Sequence, residues 1–211
     1  MPSSAPYYAS IRALARQKRA ELGVQTITFG IRDIRNIYRR ENITIDIRKL
    51  PAYLKAIYLA EDGEVSVAIR KDLPNEPKLF ALAHELKHHW ADQALIRAGL
   101  LRCGDYNANE LEEKGAEVFA AEFIYPEDEF LEDVEACNKS EWQPQDIVRF
   151  KRFHSRAKVS YTFIRKGLER RGIIAPDQFS AIKFQKLEEQ IYGLPFYKQP
   201  WFKQRRARSR E

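Results

Sequence analysis

Residues 78–98, KLFALAHELKHHWADQALIRA, put apolar side chains on nearly every side of a helical wheel: Leu79, Phe80, Leu82, Ala83, Leu86, Trp90 and Leu95. A helix that is apolar all round is buried at the centre of its domain, so the rest of the chain has to be built around this one. The same helix holds three of the chain's four histidines. Buried imidazoles without partners are costly, so their arrangement calls for an explanation. His84-Glu85-Leu86-Lys87-His88 is an HExxH pattern, and a spacing of four stacks both imidazoles on one face about a turn apart, where two nitrogens can hold one cation. Glu85 projects about 100° away from His84. It therefore reaches an attacking water rather than the ion, and suits a general base. His89, about 100° round from His88, reads as a hydrogen-bonded core histidine. Asp92 either orders the helix by its charge or orients a histidine from behind.

A third ligand has to come from another element, and residues 110–126, ELEEKGAEVFAAEFIYP, supply carboxylates at helical spacing. With Glu113 as zero, Ala116, Phe119, Ala120, Phe123 and Ile124 fill an apolar arc from about 240° to about 20°. Glu113 falls inside the arc, Glu117 on its edge at about 40°, and Glu122 at about 180°, facing water. Glu112 also leans toward the arc but sits nearer the start of the helix. A carboxylate on a core-facing stripe needs a partner, and a cation held by two histidines is a sufficient one. Two imidazoles, a carboxylate and an open position suit catalytic Zn²⁺, and Mn²⁺ fits the same donors. For stabilising an oxyanion, Tyr106, Tyr125 and His154 are alternatives among which the sequence does not choose, with His154 reading as a surface residue.

FALAHELKHH, followed by AEVFAAEFIYP with Glu113 standing 25 residues after His88, resembles the ImmA/IrrE family of zincin-like metallo-endopeptidases, over about residues 10–175. The resemblance implies that His84, His88 and Glu113 bind the metal and that Glu85 is the catalytic base. Glu117 stands where the family has Asn and would orient a histidine, and Glu113 and Glu117 could exchange roles. Lys87 replaces a small uncharged residue, Gly115 a second Glu and Tyr125 a Met. None of these removes a ligand, and Lys87 is expected to snorkel to the surface. The family's substrate would be a partner helix-turn-helix repressor, cut to release a stress-response or mobile-element programme. The competing classes are a DNA-binding or repressor-binding regulator with a structural metal site, and one component of a toxin-antitoxin-like operon.

The remaining elements follow from local pattern. Residues 10–22 and 31–40 read as helices, the first fronted by Ser10 and stopped by Gly23, and residues 43–47 alternate as a strand. Two short runs flanking Asp62-Gly63 make a hairpin with Val65, Val67 and Ile69 on one face. The strand 64–70 could take an extended substrate as an added strand. Residues 144–174 read as helix, turn and helix, rich in Lys and Arg, with Ser160 capping a helix near Tyr161 that could read DNA. The fold class is α+β: a zincin-like domain with a small, mainly antiparallel sheet on the HExxH helix, then a helix-turn-helix-like segment. The expected boundaries are 1–142 for the metallopeptidase domain, 143–192 for the helical segment and 193–211 for a basic tail.

Net charge is −9 over residues 101–140 and +10 over 141–211, so the overall +6 hides a strong polarity. With 44% apolar residues, wholesale disorder is excluded. No apolar run approaches the 18 residues of a membrane span, and the first residues have no apolar leader core, so the expected location is cytoplasmic, with no membrane partner. Cys103 and Cys137 have no second Cys or His at ligand spacing, and read as plain thiols.

Overall fold

In the computed structural model, which describes residues 4–61, 63–101, 109–195 and 198–200, the first helix starts earlier than its apolar pattern suggests. Helix α1 spans Ala5–Leu22 with a proline in its first turn, where the missing N–H costs nothing because first-turn amides have no helical partner. Ser10, expected in front of the helix, lies inside it and donates its hydroxyl to the Tyr7 carbonyl at 2.7 Å. Gly23 ends α1 at φ 64°, a left-handed conformation that suits glycine. Helix α2, Ile31–Arg40, buries Ile34, Ile37 and Tyr38.

Three strands follow: β1 (Thr44–Arg48), β2 (Ala56–Glu61) and β3 (Glu64–Arg70), in the order β1-β3-β2. The hairpin forms as its turn signal requires, with Glu61 opposite Glu64 and Gly63 at φ 83°, although Asp62 lies outside the described residues. The sheet is mixed, because β1 runs parallel to β3 from Thr44↔Ser66 to Arg48↔Arg70. This placement corrects the role given to residues 64–70. β3 is the central strand, its backbone paired on both sides, and cannot accept a further strand. The edges are β1 and β2, a strand order that local sequence does not encode.

Helix α3, Asn75–Lys87, is the buried element expected, with Leu79, Leu82, Ala83 and Leu86 almost inaccessible. The Tyr38 hydroxyl reaches over to donate to the Leu82 carbonyl at 2.8 Å, holding α2 against α3. The helix then widens into a π-helical turn, His88–Asp92, before α4, Gln93–Arg97. The extra residue in that turn shifts every later side chain off the faces read at 100° per residue. Leu95, counted as core from the wheel, is accordingly 42% exposed.

Helix α5, Glu110–Ile124, and α6, Glu127–Glu135, follow. Phe119 and Phe123 of α5 stack at 5.4 Å between centroids, and Trp90 tilts against both. Glu122, expected in water, is 4% exposed. The face of α5 opposite Glu113 is covered by α1, and Arg16 meets the Glu122 carboxylate at 2.6 Å while the Glu127 amide donates to it at 3.3 Å.

The chain divides into two compact units, Met1–Asp133 with Arg156–Ser160, and Val134–Ser155 with Tyr161–Glu211. The return to the first unit rests on Arg156, whose Nη2 and Nε donate to Asp133 Oδ1 at 2.7 and 2.9 Å and whose backbone amide donates to Oδ2 at 3.1 Å. The Tyr125 hydroxyl donates to the same carboxylate. Burial alone would raise the Asp133 pKa, but Arg156 and Tyr125 hold it below the usual carboxylate range. A depressed carboxylate contributes stability that is present above its unfolded pKa, about 3.9, and is lost as pH falls through the lower folded value. Asp133→Asn is therefore expected to lose about 2–3 kcal/mol at pH 7 and progressively less below about pH 4. Urea unfolding at pH 7 and pH 3 checks this, and a deficit that stays constant between the two would refute the ion-pair account.

In the second unit, α7 (Pro144–Arg149) runs into a π-helical turn, Phe150–His154, and the chain re-enters a helix as α8, Tyr161–Arg170, followed by α9, Phe184–Tyr192. Asp146 accepts from the Gln143 amide at 3.0 Å and so caps α7. The Tyr161 and Phe184 rings stack at 5.2 Å. Arg165, one of the basic residues assigned to a DNA-reading helix, is paired within α8 to Glu169. Cys137 is a half-buried thiol, whereas Cys103, Tyr106 and all of the 193–211 tail except 193–195 and 198–200 lie outside the described residues. No helix among the described residues is long and apolar enough to cross a membrane.

Candidate metal centre

The site lies in the first unit, where α3 presents His84 and His88 on successive turns and the first turns of α5 present Glu113. His84 is 8% exposed, Glu113 1% and His88 fully buried. Their ligand atoms converge: His84 Nε2 lies 3.1 Å from Glu113 Oε2 and 3.3 Å from His88 Nε2, and His88 Nε2 lies 3.9 Å from Glu113 Oε1. One donor atom from each residue can be chosen so that all lie within 4.8 Å of one another, a group able to hold a single ion.

The tautomer of His88 follows from its other nitrogen. Asp92 Oδ2 sits 2.7 Å from His88 Nδ1, and an ionised carboxylate can only accept, so Nδ1 carries the proton and the neutral ring turns a lone pair at Nε2 toward His84 and Glu113. Against the effect of burial, His88 and Lys87 hold the Asp92 carboxyl below its usual range. Burial likewise opposes a charge on His84, but the hydrogen bond it donates to Glu113 and the negative charges of Glu85 and Glu113 outweigh it and raise its pKa. Such a site attracts positive charge. A cation held there would gain two nitrogens and a carboxylate, the donor types of a three-ligand site with an open position.

Glu85 stands beside these ligands without joining them. It is 4% exposed, and burial raises its pKa. The Tyr58 main chain lies close enough to its carboxylate to act against that rise. Because Arg70 N donates to Lys55 O, the antiparallel alternation turns the Tyr58 amide away from β3, which places Glu85 along the free edge of β2. Glu85 Oε2 is buried and has no hydrogen-bond partner among the described residues. A buried carboxylate oxygen without a donor is expensive, and a water or a ligand group can supply the missing one. The residues present therefore fit a bound metal.

The other sequence candidates are placed apart. Glu117, one turn beyond Glu113, is half-buried and makes no hydrogen bond to either histidine among the described residues; its charge acts on His84 through space. The contact that orients a histidine is made by Asp92 instead. His89 is tied to the Tyr58 hydroxyl at 3.0 Å and Glu41 at 3.3 Å. The Tyr125 hydroxyl is engaged by Asp133, and His154 is exposed in the second unit.

Lys87 is the largest departure. It does not snorkel: its side chain is fully buried, with Nζ donating to Asp92 Oδ2 at 2.6 Å and to the Glu112 carbonyl at 3.1 Å. On an α-helix Lys87 and Asp92, five residues apart, would point about 140° away from each other. The π-helical turn, bonded over five residues, brings them together, and nothing in the apolar periodicity announces that turn.

Residues 39–169, well over half of the chain, match the family model described as the IrrE N-terminal-like domain, Peptidase_M78. No curated protein matches the chain.

Proposed function

From the premise that the chain belongs to this metallopeptidase family, the IrrE N-terminal-like domains, we propose that it is a zinc-dependent endopeptidase acting in the cytoplasm on a partner helix-turn-helix repressor. The observation that carries the peptidase chemistry is the pairing of three converging, buried ligand atoms with a buried glutamate oxygen that lacks a donor among the described residues. His84, His88 and Glu113 hold the ion, and Glu117 contributes charge from one turn away. When bound, the ion supplies Lewis-acid polarisation of the scissile carbonyl and of the attacking water. Glu85 accepts the water's proton at Oε2 and afterwards delivers it to the leaving amine nitrogen, a task for which its raised pKa is suited. The Tyr58 main chain lies close to that carboxylate, and Asp92 keeps His88 in the tautomer that offers Nε2.

An extended peptide would lie along the free edge of β2 rather than against β3, since β2 is the edge whose Tyr58 main chain lies close to Glu85. The repressor substrate, and the stress-response or mobile-element programme it would control, rest on the resemblance of the two motifs to the ImmA/IrrE family. Residues 1–142 would form the peptidase domain and 143–192 a helix-turn-helix-like appendage, with the basic tail beyond.

The test is hydrolysis of an unfolded, fluorescently quenched protein by the full chain. Cleavage is expected to disappear on treatment with a chelator and return when about one equivalent of Zn²⁺ is restored. Cleavage that survives complete metal removal would overturn the reading, as would no cleavage of this protein or of any co-expressed repressor by metal-loaded protein.

A further inference from the structure

Lys87 stands at a junction of three elements. Its ammonium donates to Asp92 Oδ2 in the π-helical turn and to the Glu112 carbonyl on α5, and it lies 5.8 Å from the centroid of the Tyr7 ring on α1. Two of these contacts lead directly to the metal centre. Asp92 Oδ2 is also the atom that receives His88 Nδ1–H, and Glu112 is the residue next to Glu113. One buried cation thus touches both halves of the ligand set, the histidine side through a carboxylate and the glutamate side through the main chain.

The third contact explains a second departure from the family pattern. A Cβ at Gly115 would come within 2.5 Å of the Tyr7 hydroxyl oxygen and 2.8 Å of its Cε1. A side chain at 115 would push the Tyr7 ring out of its place against α5 beside Lys87. Lys87 and Gly115, unrelated in sequence, are two parts of one arrangement.

We propose that Lys87 is a positioning residue for the metal centre: it braces Asp92, and through it His88, against the α5 main chain beside Glu113, and so fixes the spacing of the ligands. This inference rests on the reading of His84, His88 and Glu113 as a metal site. A buried Lys–Asp pair with only a structural role would affect unfolding and leave a loaded site unchanged. A brace alters the site itself.

The experiment measures Zn²⁺ affinity of the full chain by competition with a chromophoric chelator, for wild type, Lys87→Met, Asp92→Asn and the double variant, with His88→Ala as the control for the site. Lys87→Met is expected to weaken Zn²⁺ binding about 10–100-fold, the usual effect of removing a group that orients a ligand. Because Lys87 acts through Asp92, the double variant is expected to bind no more weakly than Asp92→Asn. The ligand-field absorption of Co²⁺-loaded Lys87→Met is expected to shift from that of wild type, a change that loss of stability alone would not produce. Should Lys87→Met not fold, the double variant, which strands no buried charge, replaces it, and at least tenfold weaker binding than wild type is expected. The proposal fails if Lys87→Met, or the double variant standing in for it, binds Zn²⁺ within threefold of wild type with an unaltered Co²⁺ spectrum. It also fails if the two single losses multiply in the double variant. If wild type and His88→Ala both bind no metal, the metal-site reading falls and takes this one with it; binding by wild type alone separates the two.

Discussion

Protein carrying His84→Ala or Glu113→Ala is expected to emerge from purification, without added metal, nearly free of zinc, while wild type carries about one equivalent per chain. The three donors are shared between two helices, and no other group of ligands converges with them among the described residues. Glu117 is half-buried and one turn away, and the atoms that converge within 4.8 Å belong to His84, His88 and Glu113. Removing either of the two residues leaves a two-donor site, which binds Zn²⁺ far more weakly than three donors plus water. Glu117→Ala is the matched control, since it deletes a carboxylate from the same helix and should retain the metal. If Glu113→Ala keeps its zinc and Glu117→Ala loses it, the two glutamates have exchanged roles and α5 must rotate on loading. If all variants keep it, the ligand set is wrong. Elemental analysis of the proteins side by side distinguishes these outcomes.

Much of this site is legible in the sequence because it depends on short-range geometry. The four-residue spacing of His84 and His88 on an apolar helix, and the phase of Glu113 on the α5 wheel, need only the 3.6-residue period, and all three side chains converge as that period requires. Helix ends signalled by Gly23, and the turn at Gly63, are equally local. What the sequence conceals is set by partners distant in the chain. Glu122 looks solvent-facing until α1, more than a hundred residues away, lays Arg16 over it. The strand 64–70 looks like a possible edge until β1 pairs with its far side. Lys87 looks like an exposed lysine because an α-helical wheel directs it away from Asp92, and a single π-helical turn reverses that. Errors of the last kind fall beside the metal site, where a widened helical turn is a frequent accompaniment of function.

Glu85→Gln is expected to keep its metal and lose hydrolysis by about 10²–10⁴-fold, the range associated with a positioned general base. The substitution preserves size and shape, so it opens no cavity at residue 85. It removes only the ability to accept a proton. A side-chain oxygen still faces the Tyr58 main chain. The orphaned Oε2 position then carries either an amide NH₂, which cannot activate a water, or an oxygen whose basicity is far too low to do so. Burial at this position now disfavours the charged glutamate, and a neutral amide escapes that penalty, so the variant should unfold no earlier than wild type. Unchanged metal content, an unlowered unfolding midpoint and lost cleavage together would isolate proton transfer as what Glu85 supplies. Cleavage that persists in a metal-loaded Glu85→Gln protein would move the base elsewhere, and the buried, unpaired oxygen at 85 would then need a different partner.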